Sequence, residues 1–338
     1  MLIAGAAGCS PDRAARDLLD RADSLMESRP DSALALLDSI DAGAISDRST
    51  RARYALLMSQ ALDKNYIDVT SDSLISIATR YYADVDNSPE LMKSLFYQAT
   101  VYYNDGSYDH AAVDATHAYE IAVKLNDHFW TGKTATLIAD IFNLTYNYDE
   151  SLKFRKVAVD AYAKTNKESL HRWTLLGLSM DYINIRDHEK AFSIIDSLQK
   201  LDKHTVTDSA FTDNLIRTCF EYNLENRDYQ TAKTYFNKLK NYNFQELSAI
   251  DYGNIGYVEA NLGNSMLAKQ YIDSARKYSK QDDAKDLFAI DIANWEYLKS
   301  NGTKYDIIDY SEKIMHTQNA IVKKNAWSVG IRSPTKFL

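Results

Sequence analysis

The stretch "NDGSYDHAAVDATHAYEIA", residues 104–122, holds a polar break with one Gly, then Tyr108, Ala111 three residues on and Ala118 seven after that. Spacings of three, four and seven fall on one stripe of an α-helix. Small residues on such a stripe mark where another helix crosses at close range. The same context returns along the chain. "RPDSALALLDSI" places Ala33 at the anchor, "NYDESLKFRKVAVDAY" Ser151, and "RDHEKAFSIIDSL" Ala191. "NRDYQTAKTYFNKL" places Ala232 there, "LGNSMLAKQYIDSARKY" Ala268, and "NGTKYDIIDYSEKI" Ile308, with a poorer copy at Ile75. Successive anchors lie 36 to 42 residues apart, and an internal repeat is the simple cause of that regularity.

Each anchor follows another amphipathic stretch. Leu95, Ala99 and Tyr102 share a face, as do Ala135, Ala139 and Phe142, then Leu175, Ser179 and Tyr182, then Tyr252 and Gly256. The small member (Ala99, Ala139, Ser179 or Gly256) sits twelve residues before the next anchor. Ala118, Ala158 and Ala275, each seven residues past an anchor, are small where the following pair stacks. The unit is therefore a helical hairpin closed over small side chains.

These features, with Gly106, Tyr108 and Ala111 entering a second helix, resemble the tetratricopeptide repeat. The likeness is cleanest over residues 92–125, 172–205 and 249–282. It implies an all-α fold, a right-handed α-solenoid of about eight antiparallel helix pairs near 12–40, 48–82, 90–124, 127–163, 167–200, 206–241, 246–280 and 283–324. The period is nearer forty than the usual 34, which reads as an extra turn of helix per unit. In that family the first helices line a concave groove for a peptide or protein ligand. Carried over, the groove positions are Tyr103, Asn104, Asp140, Asn143, Met180, Asn184, Arg217, Glu221, Tyr257, Asn261 and Tyr297. Asn at 104, 184 and 261 can bond an extended backbone or simply end a helix. The Lys/Asn pattern with which some members clamp a terminal carboxylate is absent.

Composition agrees with helix: of 338 residues four are Pro and eleven Gly, and 24 are Tyr. The net charge of −8 leaves no basic stripe for phosphates, so nucleic acid is not an expected partner. No catalytic constellation emerges. "TGKTAT" at 131–136 has Asp127 where a phosphate-binding loop needs Gly, "GLSMD" at 177–181 lacks the second Gly of a nucleophile elbow, and no HExxH occurs. The reading is a non-catalytic protein with no metal and no cofactor. Cys219, inside "TDNLIRTCFEYNL", reads as a small buried hydrophobe.

The ends differ from the array. Residues 1–10, "MLIAGAAGCS", turn polar at Cys9, and "AAGC" resembles the lipobox of bacterial lipoproteins, in which the Cys is acylated. That implies a cell-envelope protein held to the membrane through lipid on Cys9; without it the chain is expected to be cytoplasmic. Residues 11–324 form the array, and 325–338 carry no period. The expected function is a membrane-tethered scaffold that binds peptides or proteins. The alternatives are the sensing half of a signalling protein, or a glycan-binding lipoprotein with exposed aromatic platforms.

Overall fold

Acidic and hydroxylated side chains start the helices. Asp47 accepts from the Thr50 N–H (2.8 Å), Asp208 from Phe211 (3.0 Å) and Asp283 from Lys285 (2.9 Å), each covering a donor that the first helical turn leaves unpaired. Ser248 and Asp251 do so reciprocally, as a capping box. The computed structural model describes residues 11–84, 89–205, 208–242, 244–280 and 283–328. Cys9 lies outside the described residues. The regular elements among them are helical.

The order is α1 (Pro11–Leu25), α2 (Pro30–Asp38), a short 3-10 turn, α3 (Arg48–Lys64), α4 (Ile75–Tyr82), α5 (Pro89–Asp105), α6 (Tyr108–Lys124), α7 (His128–Leu144) and α8 (Tyr148–Tyr162). It continues with α9 (Glu168–Asn184), α10 (His188–Thr205), α11 (Ser209–Glu225), α12 (Tyr229–Tyr242), α13 (Ala249–Asn261), α14 (Ser265–Tyr278), α15 (Ala284–Asn301) and α16 (Lys304–Ser328). These are the eight expected pairs, with bounds within a few residues. Helices α5, α6, α7, α9 and α11 each run 17 residues, which is where the period beyond 34 goes.

One turn joins the two helices in at least four of the pairs. Its second backbone N–H reaches back five residues: Ser107 to Tyr102 O (2.9 Å), Asp187 to Tyr182 O (2.9 Å), Asp228 to Asn223 O (2.9 Å) and Asn264 to Glu259 O (2.9 Å). The residue before it is left-handed, as this cap demands. Gly106 (φ +82°) and Gly263 (φ +77°) suit that position, but Tyr146, Arg186 and Arg227 hold it at φ +60°, +62° and +60°.

By backbone packing the chain groups into two units: residues up to Phe142 with Asp160–Thr165, and Asn143–Val159 with Asn166 onward. In the first, Leu19, Ala22, Met26, Ala33 and Leu37 pack with Leu57 and Ala61 of α3. Ala99, Ala111, Ala118 and Ala139 have no exposed surface. A Cβ on Gly132 would lie 2.9 Å from the Tyr162 ring, so helix and ring meet only because that side chain is missing. In the second unit, Leu176, Ile183, Ile195, Phe211 and Leu215 form one core, and Phe220, Phe236, Ile255 and Val258 another. Ala158, Ser179, Ala191, Ala232, Ala268 and Ala275 are fully buried. A Cβ on Gly256 would come 3.0 Å from Ile272.

Ser151 is buried at its anchor too, but its hydroxyl donates to Asp181 (2.7 Å), so it serves as a polar partner as well as a small residue. Asp181 also accepts from Arg155 Nε (2.9 Å) and from Asn143 Nδ2 (3.0 Å) and has no exposed surface. A Cβ on Gly177 would touch the Arg155 guanidinium at 3.0 Å.

Candidate functional site

A cavity of about 960 Å³ opens in the second unit, at the upper end of the roughly 300–1,000 Å³ typical of ligand pockets. Its wall is a set of helical stripes. Met180, Ile183 and Asn184 come from α9, Glu221, Leu224 and Glu225 from α11, and Ile250, Asn254 and Tyr257 from α13. Phe288, Ile292 and Trp295 follow on α15, and Ile314, Met315 and Ile321 on α16. Spacings of three, four and seven set the rows of α9, α11, α13 and α15 each on one face, so the first helices of successive pairs supply most of the surface.

The turns supply the rest. Tyr146, Arg186 and Arg227, the left-handed residues other than Gly among the described residues of this unit, all line the cavity. Each is held in a conformation that costs an L-residue roughly 1–2 kcal/mol. Gly263, at the equivalent turn, does not line it.

Polar groups around the cavity are incompletely partnered. Trp295 Nε1 and His188 Nδ1 are buried with no hydrogen-bond partner among the described residues. Burial pushes the Glu221 carboxyl up to about 7, and neighbouring Asp251 and Glu225 add to the shift while Arg217 opposes it. Arg186, Arg227 and Lys285 are exposed, as is Glu225, so the edge carries a net positive charge and the half-buried Glu221 lies deeper.

Of the groove residues expected from sequence, Met180, Asn184, Glu221 and Tyr257 meet at this cavity. Others are taken up elsewhere. Asn143 is bound to Asp181. Arg217 is clamped between Asp213 (2.8 Å) and Asp251 (2.6 Å), joining α11 to α13. Asn261 donates to the Tyr257 carbonyl at 3.0 Å and so closes the end of its own helix, as Asn223 and Asn301 do on theirs. Tyr297 is not on the cavity wall.

Tyr103, Asn104 and Asp140 belong to the first unit. Asn104 donates to Val69 O (3.3 Å) beside a smaller cavity of about 350 Å³ that Asp63 and Tyr97 also line. Tyr103 stands edge-on to Tyr108, and the charge of Asp140 adds to the burial that pushes the Tyr162 hydroxyl upward against a hydrogen bond with Thr136. Next to that smaller cavity the Lys133 ammonium lies 4.4, 5.0 and 5.2 Å from the ring centres of Phe96, Tyr97 and Trp130, and burial draws it down to about 8.

Sequence reasoning missed the turn residues and the α15 and α16 rows. One signal was available. Two residues before the second helix of a pair stands Gly106 or Gly263 in two repeats, but Tyr146, Arg186 and Arg227 in three. A side chain where the backbone favours Gly is a departure that needs a reason.

Burial pushes the Cys219 thiol up to about 12, which makes it a poor nucleophile. Among the described residues no group of three or more His, Cys, Asp or Glu is placed to hold a metal ion, and no helix is long and apolar enough to cross a membrane.

No protein-family model matches the sequence, and no curated protein does. Solved structures match the fold. A Rap protein complexed with competence and sporulation factor aligns over 95% of this chain and 93% of its own, at TM-score 0.67 and 15% identity. NprR in complex with its cognate peptide NprX aligns over 90% and 89%, at TM-score 0.65 and 12% identity. A tetratricopeptide repeat protein from Parabacteroides merdae aligns over 81% and 98%, at TM-score 0.56 and 12% identity. At such identities the likeness is one of fold: this chain has the all-α helical-repeat fold of tetratricopeptide-type proteins.

Proposed function

We propose that this protein is a non-catalytic receptor for a peptide or protein segment, which it holds in the cavity of the second unit. The observation that carries the reading is the cavity itself, walled by stripes of the first helices, with two buried polar atoms, Trp295 Nε1 and His188 Nδ1, left without partners. An extended backbone offers both donors and acceptors to such groups. The size and mixed polarity of the cavity suit a short segment. The fold similarity to NprR, crystallised with a peptide, supports the same reading.

Thermal melting of the whole chain against a synthetic hexapeptide library tests it. A segment that binds the folded state raises the melting temperature with concentration, and hydrogen exchange then slows in α9, α11, α13 and α15. The reading fails if no peptide shifts the melt, or if protection falls only outside those helices.

The envelope tether rests on "AAGC" at Ala6–Cys9. Labelled palmitate fed to expressing cells should enter the protein and be lost in Cys9→Ala; unlabelled protein in both cases refutes the tether. The sensing half of a signalling protein is compatible with the same cavity. A sugar platform finds less support, because Trp173 packs edge-on to Phe211 and Trp130 is buried, which leaves Trp295 as the one of these three at the cavity.

A further inference from the structure

We infer that the cavity of the second unit selects its peptide by a basic side chain, which docks on Glu221 of α11, while the Trp295 indole N–H bonds an acceptor of the same segment. The inference rests on the peptide-binding reading above and names the chemistry that is read.

Glu221 is the starting point. Its carboxylate lines the cavity, and no ion pair or hydrogen bond reaches it from the described residues. The cation on its own helix, Arg217, is already held by Asp213 and Asp251. Withdrawing a carboxylate even partly from water without a partner is unfavourable, and the same partial burial pushes its pKa up. A ligand cation would offset it. Leu224 and Ile292 offer apolar surface along which the stem of a Lys or Arg can lie.

A second, independent observation points to a ligand at the same place. Trp295 Nε1 is a buried donor without an acceptor, in a side chain that lines the same cavity as Glu221. A peptide carbonyl supplies what it lacks.

The remaining charges give the ligand a polarity. Arg186 and Arg227 stand exposed at the edge, on turns where their backbone is strained. With Lys285 and against one exposed carboxylate, Glu225, they leave a net positive edge over the deeper Glu221, which suits a segment that inserts a cation and leaves carboxylates outside. An N-terminal ammonium carries the same chemistry as a side chain, so the test separates the two.

The experiment measures binding of the full chain at pH 8 to C-terminally amidated hexapeptides of one apolar background. The central residue is Lys, Arg, Gln or Glu, and each peptide is made with a free and with an acetylated amino terminus. The expected result is that acetylated Lys and Arg peptides bind about tenfold or more tighter than Gln, with Glu weakest. In Glu221→Gln that preference should shrink to within about twofold while the Gln peptide still binds. Trp295→Phe should weaken every peptide and leave the preference in place. Circular-dichroism melts confirm that both variants are folded.

Equal affinity for Lys and Gln peptides in the unsubstituted protein overturns the inference. So does a preference that survives in Glu221→Gln, or one that appears only with a free amino terminus. In each of these cases peptides still bind and the broader reading stands. If no peptide binds in any arm, the peptide reading fails and this inference with it.

Discussion

Arg186 and Arg227 keep long side chains where the backbone is left-handed, at φ +62° and +60°. Glycine adopts that region without penalty. Arg186→Gly and Arg227→Gly should therefore each raise stability by about 1 kcal/mol, read as a higher urea midpoint at unchanged slope, while weakening the ligand. Gly106→Ala should lower stability by a similar amount. Nothing lies within 4 Å of the added Cβ, so the loss isolates the backbone term. Glu221 behaves in the same sense. Its native carboxyl titrates at about 7 against an ordinary 4.5, so between those pH values the folded state holds a proton that the unfolded chain releases. The contribution to stability is full below about 4.5 and is lost as pH rises through 7. Glu221→Gln should thus stabilise the protein at pH 8 by on the order of 1 kcal/mol after allowing for the solvent in the cavity. The gain should vanish near pH 4.5; equal gains at both pH values would refute the assignment. Neither effect was legible in the sequence. A φ value and the absence of a partner are properties of position: the repeat register marked Glu221 as a groove residue and the missing Gly marked Arg186 and Arg227, but the string shows neither the strain nor the unpaired carboxylate. Stability gained as affinity is lost is what a site kept for binding predicts.

At the scale of the helical hairpin the sequence was far more transparent. Ala99 against Ala111, Ser179 against Ala191 and Gly256 against Ala268 recur at twelve residues because a fixed turn joins helices of nearly fixed length, so small rungs fall in register. Ala111 has no exposed surface, and Ala111→Leu should cost about 1–3 kcal/mol through overpacking, seen as a lower melting temperature. What the pattern concealed was the second task of a rung. Ser151 occupies a small-residue position and also donates to Asp181, and Asn143 looked like a groove residue but bonds the same carboxylate from another helix. Only three-dimensional adjacency shows Arg155, Ser151, Asn143 and Asp181 as one network. Removing its cation strands a buried charge, so Arg155→Ala should cost about 3–5 kcal/mol. Asp181→Asn in the Arg155→Ala background should return part of that loss, because it removes the stranded charge. A double-mutant cycle measures the coupling.

For the whole molecule the quantity to reason from is charge. The chain carries 39 Lys and Arg against 47 Asp and Glu, a net −8. That much was plain from composition. The cavity was not, because bringing Tyr146, Glu221, Trp295 and Ile321 to one void depends on how successive pairs stack, and no single-helix pattern encodes it. The two facts combine in association kinetics. A net-negative protein whose cavity holds an unpaired carboxylate draws a basic segment toward it over a distance set by the Debye length, about 30 Å at 0.01 M salt and 10 Å at 0.1 M. Stopped-flow measurement, with tryptophan fluorescence as the reporter, should show the association rate of an amino-acetylated, Lys-bearing hexapeptide falling several-fold across that range. Its Gln counterpart has no charge to steer and should show a rate nearly independent of salt. Glu221→Gln should slow the Lys peptide only slightly in this respect, since it removes one charge of many, while raising its dissociation rate strongly. The long-range field and the local contact are thereby separated: salt reads the first and substitution the second. If the association rates of the Lys and Gln peptides respond alike to salt, the field does not steer this ligand, and the acidic balance of the chain serves solubility alone.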